Sequence, residues 1–324
     1  MTLTRRHLLA SALAAGALYA LPARADAPKT LRILVGFPPG GGSDAIARLL
    51  ADKLKDALGL PVVVDNRPGA GGQIAAQVLK SAPADGGTLF LTHDHTISIL
   101  PQVVKNPGFD PAHDFTAAGG FATFVNCLAV PAATPAASFG EFVQWVKQHK
   151  AGKSAVGIPA PASTPEFLVR LLGQRYGLDL VAVPYRGSAP MIGDMLGNQI
   201  PAGVGAVQDF IENHRAGKLR VLAVLGGKRQ AALPDVPTFA ELGLAGFEDT
   251  PYYGFYAPAG TPEAALVRFS EALSKVLDQP QVREQLTAMG LTVGFMTPTQ
   301  LGTRERAYTK VWQRIIEDSG FRPQ

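Results

Sequence analysis

The 324-residue sequence predicts an α/β protein of two doubly wound domains joined by a two-crossing hinge. Three observations carry that expectation. Short β-branched runs alternate with helical apolar patterns, and repeated units of that kind build a parallel sheet covered by helices on both faces. The rhythm breaks at the Pro- and Ala-rich stretch Pro131-Ala132-Ala133-Thr134-Pro135 and then restarts. A mature chain of roughly 300 residues also exceeds what one core usually organises.

The N-terminus carries Thr4-Arg5-Arg6-His7-Leu8-Leu9 ahead of an Ala/Leu-rich stretch that ends in Ala23-Arg24-Ala25. A basic start, a short apolar middle and a small-x-small site are the parts of an export signal, and the paired arginines suggest the twin-arginine route. About 14 apolar residues fall short of the roughly 20 that a membrane-spanning helix needs. Residues 1–25 are therefore expected to be cleaved after Ala25, releasing a periplasmic protein that begins at Asp26. Cleavage removes Arg5, Arg6 and Arg24 and no acidic residue, so the formal charge of +4 falls to +1. No later run of Lys and Arg forms a stripe for phosphates, which argues against a nucleic-acid partner.

The first domain begins with a strand over Leu31–Phe37 and a helix over Asp44–Leu58, where Ile46, Leu49, Leu50, Leu54 and Leu58 form one apolar stripe. Gly59 closes that helix, and Pro61–Val64 makes the next strand. A helix over 71–81 and a strand over 87–92 follow. Cys127, the only cysteine, lies in the apolar run 124–130 and is expected to be buried and structural. After an amphipathic helix near 139–149 the pattern resumes: a strand at 154–158, a helix at 164–176, a strand at 180–183, a helix at 189–196 and a strand at 219–225. The run Tyr252-Tyr253-Gly254-Phe255-Tyr256 leads to helices near 262–277, 281–289 and 298–318. Placing these last helices back on the first domain assigns 26–126 plus 251–324 to domain 1 and 127–250 to domain 2, with crossings near 126 and 251.

Several turns could carry chemistry. In Phe37-Pro38-Pro39-Gly40-Gly41-Gly42-Ser43-Asp44, glycines permit close backbone approach, and the free N–H groups of a helix start favour an anion. Asp44 would repel that anion unless it caps the helix or orients the loop. The turn 66–72 lacks the spacing of G-x-G-x-x-G, and no complete phosphate-binding G-x-x-x-x-G-K-[ST] occurs. No G-x-S-x-G elbow is present either, so neither nucleotide binding nor hydrolysis is indicated, and no cofactor or catalytic residue is assigned. His93-Asp94-His95 lacks a third metal ligand, leaving an ordinary loop or a contact to an organic ligand, and no metal is assigned. In the second domain Ser163 or Thr164 can start a helix. The turn Tyr185-Arg186-Gly187 offers a ring, a hydroxyl and a planar cation for a carboxylate, or else a solvated edge turn.

Taken together, Phe37–Leu54, Val62–Gly72, Ala84–Leu91, Val183–Gln199, Ala216–Val224, Leu233–Glu248 and Tyr253–Pro262 resemble the substrate-binding receptors of tripartite tricarboxylate transporters, the Bug family. The resemblance covers the whole mature chain. It implies a type II periplasmic-binding-protein fold that closes like a flytrap on a small organic anion, often a carboxylate, with membrane permease subunits as partners. It also implies a monomer that is not an enzyme and has no stable membrane insertion after cleavage. Ligand-binding roles carry over to Phe37, Gly41, Gly42, Ser43 and Asp44 on the first loop, to Ser163 and Thr164, and to Tyr185, Arg186 and Gly187, with His93 added as a cleft residue. The stretches 158–166, 203–206 and 92–96 depart from the family pattern and leave the distal end of the ligand unassigned. A periplasmic sensor built on the same clamp is the alternative reading, and a hydrolase or lyase using His93, Asp94 and Glu166 is a third.

Overall fold

The computed structural model describes residues 28–149, 152–244 and 249–323. The predicted export signal over 1–25 thus lies outside the described residues. Two sheets organise the chain. The first has the order β11 (Thr292–Met296), β4 (Phe115–Thr123), β10 (Tyr252–Pro258), β3 (Thr88–His93), β1 (Leu31–Val35) and β2 (Val62–Asn66). The second has the order β7 (Asp179–Pro184), β6 (Lys153–Ile158), β8 (Gly203–Ala206), β5 (Asn126–Pro131) and β9 (Leu219–Val224).

The helices follow from their apolar stripes. Helix α1 (Gly42–Leu58) buries Ile46, Leu50, Leu54 and Leu58 against one face of the first sheet, and Gly59, at φ 68°, ends it by donating its N–H to the Lys55 carbonyl. Only a residue that tolerates the left-handed region closes a helix this way without strain. On the opposite face, α2 (Gln73–Lys80) buries Ala75, Ala76 and Leu79. The second sheet is covered by α3 (Phe139–His149), α4 (Thr164–Tyr176), α5 (Ser188–Leu196) and α6 (Val207–Arg215). The C-terminal helices α7 (Glu263–Leu277), α8 (Pro280–Ala288) and α9 (Pro298–Asp318) return to the first sheet, where Tyr308 and Trp312 of α9 complete its core. Cys127 is buried on β5.

The expected parallel pairing holds for part of each sheet, and both sheets are mixed. β1 runs parallel to β2 and β3, but β10 is antiparallel to β3 and β4, and β5 is antiparallel to β8 and β9. The cause is the crossing itself. Strands followed by a helix end at the cleft, whereas a strand that enters from the other sheet starts there and must run away from it. Thus Tyr253, near the start of β10, pairs with His93 at the end of β3, and Asn126, the start of β5, pairs with Ala206 at the end of β8. The two connections lie side by side, with the Phe124 N–H donating to the Pro251 carbonyl at 3.1 Å.

Strands β4, β8 and β11 and helix α6 had no counterpart in the sequence reading. β4 is Phe-Thr-Ala-Ala-Gly-Gly-Phe-Ala-Thr and β8 is Gly-Val-Gly-Ala, compositions poor in β-branched residues. Packing explains them. A β-carbon on Gly203 would lie 2.6 Å from the Met195 sulfur, and one on Gly120 would lie 2.5 Å from Met296 Cε.

Candidate functional site

The cleft between the sheets is lined by the starts of helices from both of them. Residues Gly41 and Ser43 belong to the start of α1, Ser163 and Thr164 to α4, Ser188 to α5, and Ala206 and Asp209 to α6. Each follows a strand that ends at the cleft, so several positive helix ends converge there.

The first loop is held from behind. Gly36 packs so closely on the second glycine turn that a β-carbon would lie 2.6 Å from Gly72 Cα. Asp44 is 4% exposed and does not line the cleft. Its carboxylate accepts from the Gly40 N–H, Arg48 Nε and Asn66 Nδ2, each at 3.0 Å, while Asn66 also donates to the Phe37 carbonyl at 3.0 Å. Burial alone would raise the Asp44 carboxyl, but the hydrogen bonds from Arg48, Gly40 and Asn66 and the Arg48 charge hold it below the ordinary Asp value. Asp44 therefore orients the loop, and its charge faces Arg48.

Across the cleft the two halves meet on Asp209. Its Oδ1 accepts the Gly42 N–H at 3.1 Å and the Ser188 hydroxyl at 2.8 Å, and its Oδ2 accepts the Ala206 N–H at 3.3 Å. Burial pushes this carboxyl up against the lowering effect of those bonds and of His93. Beside it, Tyr253 OH is 3.0 Å from Ser43 Oγ and receives Gln208 Nε2 at 3.0 Å.

His93, at the end of β3, stacks on Phe37 with ring centroids 5.2 Å apart and meets the edges of Tyr253 and Phe124 at 5.4 and 5.7 Å. Its Nδ1 is 3.3 Å from Asp94 Oδ1, and Asp94 Oδ2 accepts the Tyr308 hydroxyl at 2.9 Å. His95 is buried, and that burial, with the His93 charge, lowers it to about 4. Among the described residues no group of three or more His, Cys, Asp and Glu side chains could hold a metal ion.

Phe37, Gly41, Ser43, His93, Ser163 and Thr164 thus line one cleft, and Gly42 borders it through Asp209. Ser163 turns its hydroxyl onto the Ala160 carbonyl at 2.6 Å. Glu166 accepts the Ala162 N–H at 2.7 Å and lies outside the cleft lining. Tyr185, Arg186 and Gly187 line a neighbouring pocket, shared with Phe37 and Gly69–Gly71, instead of the cleft. The Tyr185 hydroxyl donates to Asp194 at 2.7 Å, and burial with that carboxylate pushes the phenol up to about 12. Arg186 is exposed. Phe124, Asn126, Ser188, Asp209 and Tyr253 also line the cleft, and the sequence reading assigned none of them to it. Ser188 had a local signal, a hydroxyl residue between a predicted strand and a predicted helix, whereas Asp209 lies on a helix that the sequence pattern does not mark.

The chain matches the model of the tripartite tricarboxylate transporter family receptor over residues 46–321. Protein BugT of Bordetella pertussis is 31% identical, with 99% of each chain covered. Two solved structures are similar. Rpa4515 of R. palustris with adipate shares 29% identity with a TM-score of 0.86, covering 92% of this chain and 100% of that one. MatC (Rpa3494) from Rhodopseudomonas palustris with bound malate shares 28% identity with a TM-score of 0.80, covering 89% of this chain and 98% of that one.

Proposed function

We propose, from the premise that this chain belongs to the tripartite tricarboxylate transporter receptor family of Bug proteins, that it captures a small organic acid between its two halves. The halves are domain 1 (26–126 with 251–324) and domain 2 (127–250). The observation that carries this reading is the convergence of helix starts from both sheets on one cleft, at Gly41 and Ser43 on one side and Ser163 and Thr164 on the other. Backbone N–H groups and bridging waters at such ends can hold a carboxylate without a cation. Adipate in Rpa4515 and malate in MatC support a carboxylate as the class of ligand.

In this reading residues 1–25 direct export and are cleaved after Ala25, and the protein works in the periplasm. No helix among the described residues is long and apolar enough to cross a membrane. The closed receptor delivers its acid unchanged to membrane permease subunits. Calorimetric titration of the exported protein with mono-, di- and tricarboxylates and amino acids tests this. One acid bound per chain and recovered unaltered is expected. Failure of every acid to bind at millimolar concentration, or its conversion to a product, overturns the reading.

A further inference from the structure

Among the described residues no Lys or Arg lines the cleft. Arg48 is engaged by Asp44, and Arg186 is exposed beside the neighbouring pocket. The cleft does contain two carboxylates. Asp94 is matched by the Tyr308 hydroxyl and by His93. Among the described residues Asp209 has only neutral donors, the Gly42 and Ala206 N–H groups and the Ser188 hydroxyl, and the contact to its Oδ2 is the long one at 3.3 Å. A carboxylate oxygen accepts two hydrogen bonds, so Oδ2 retains acceptor capacity.

Asn126 adds a second, independent observation. It is 5% exposed and lines the same cleft, and its side-chain amide, open to the cleft, bonds to none of the described residues. An Asn amide carries one acceptor oxygen and two N–H donors, so this one offers both to a ligand in the cleft. Phe37, Phe124 and Tyr253 line the same cleft, and aromatic faces attract cations. A second ligand carboxylate placed here would meet Asp209 as a like charge, whereas an ammonium would complete its hydrogen bonds.

We propose that Asp209 makes this cleft select an acid that also carries an ammonium group, with the carboxylate at the helix starts and the ammonium on Asp209 beside Asn126. The inference rests on the receptor reading above and narrows its ligand class. Titration calorimetry with matched probes tests it: L-glutamate against glutarate, and the amino acids 4-aminobutanoate and 6-aminohexanoate against butanoate and hexanoate. At least one amino acid is expected to bind tenfold or more tighter than its amine-free partner, and Asp209→Asn, which keeps the side-chain shape, is expected to cut that ratio at least tenfold. Amine-free acids binding as well as or better than every amino acid overturn the inference and leave the receptor reading standing. An unchanged ratio in a folded Asp209→Asn protein also overturns it. If the variant does not fold, the ratio measured with the unaltered protein decides alone. Binding of no acid overturns both readings.

Discussion

The Gly42 backbone N–H, at the start of α1, donates to the Asp209 carboxylate in the first turn of α6, joining two helix starts that belong to different sheets. A β-carbon at residue 42 would lie 2.7 Å from Asp209 Oδ1 and 2.7 Å from Gln208 Cγ. Alanine suits the helix itself, so the obstruction arises only where the two halves meet. Gly42→Ala is expected to shift the unfolding free energy by no more than about 1 kcal/mol. Acid affinity should fall about tenfold, equivalent to about 1.4 kcal/mol. Small-angle scattering should show less contraction on adding ligand than in the unaltered protein, and equal contraction and affinity would refute the point.

Asp44 gives a pH prediction on the acid side. Its folded carboxyl titrates below the unfolded Asp value of about 3.9, so its stabilisation is present above that pH and is lost as pH falls through the folded pKa. At pH 7, Asp44→Asn should lose about 2 kcal/mol, the scale of hydrogen bonds to a charged group. Urea titrations should then show the two proteins converging in stability as the pH is taken well below 3.9. A constant difference across that range would count against the assignment.

His95 acts in the opposite chemical sense. The buried ring is lowered to about 4, while the unfolded chain takes up its proton near pH 6.5. Its contribution to stability is therefore complete above about 6.5 and declines as pH falls towards 4, a loss of about 3 kcal/mol. His95→Gln should flatten the stability profile between those two values. The measurement is chemical denaturation at closely spaced pH, and an unflattened slope would assign the effect to another group.

Gly36 faces backbone at close range, since its β-carbon would sit 2.6 Å from Gly72 Cα. Neither loop has a flexible side-chain end that could give way at that point. Gly36→Ala is expected to cost about 1–3 kcal/mol, in the range of overpacked sites. It should also weaken acid binding, because Phe37 and Gly41 follow directly in the loop. A thermal midpoint equal to that of the unaltered protein would show that the turns separate freely.

The alternation of strand and helix was legible because each signal is local. Ile46, Leu50, Leu54 and Leu58 recur at helical spacing, the Val62-Val63-Val64 run is β-branched, and Gly59 stops α1 where it must. Elements whose signal is contributed by neighbours were not legible. Gly203-Val204-Gly205-Ala206 is a strand because Met191 and Met195 press on it, and β10 runs antiparallel because it begins at the crossing. The first loop and the start of α4 could be placed at the cleft because each is a turn directly after a strand.

What the sequence determined by itself was the two-domain α/β architecture, the family, and the first loop and the start of α4 as turns after strands, all properties of residues a few positions apart. The tertiary structure alone decided which side chains meet there. Gly42 and Asp209 are separated by 167 positions, and Ser43 and Tyr253 by 210. It also turned Asp44 onto Arg48, Tyr185 onto Asp194, and left Arg186 outside the cleft. Propensity and spacing act within a turn or two of chain, whereas a charge finds its partner through the packing of whole domains, and that is why the loops could be read in advance and the identities of their partners could not.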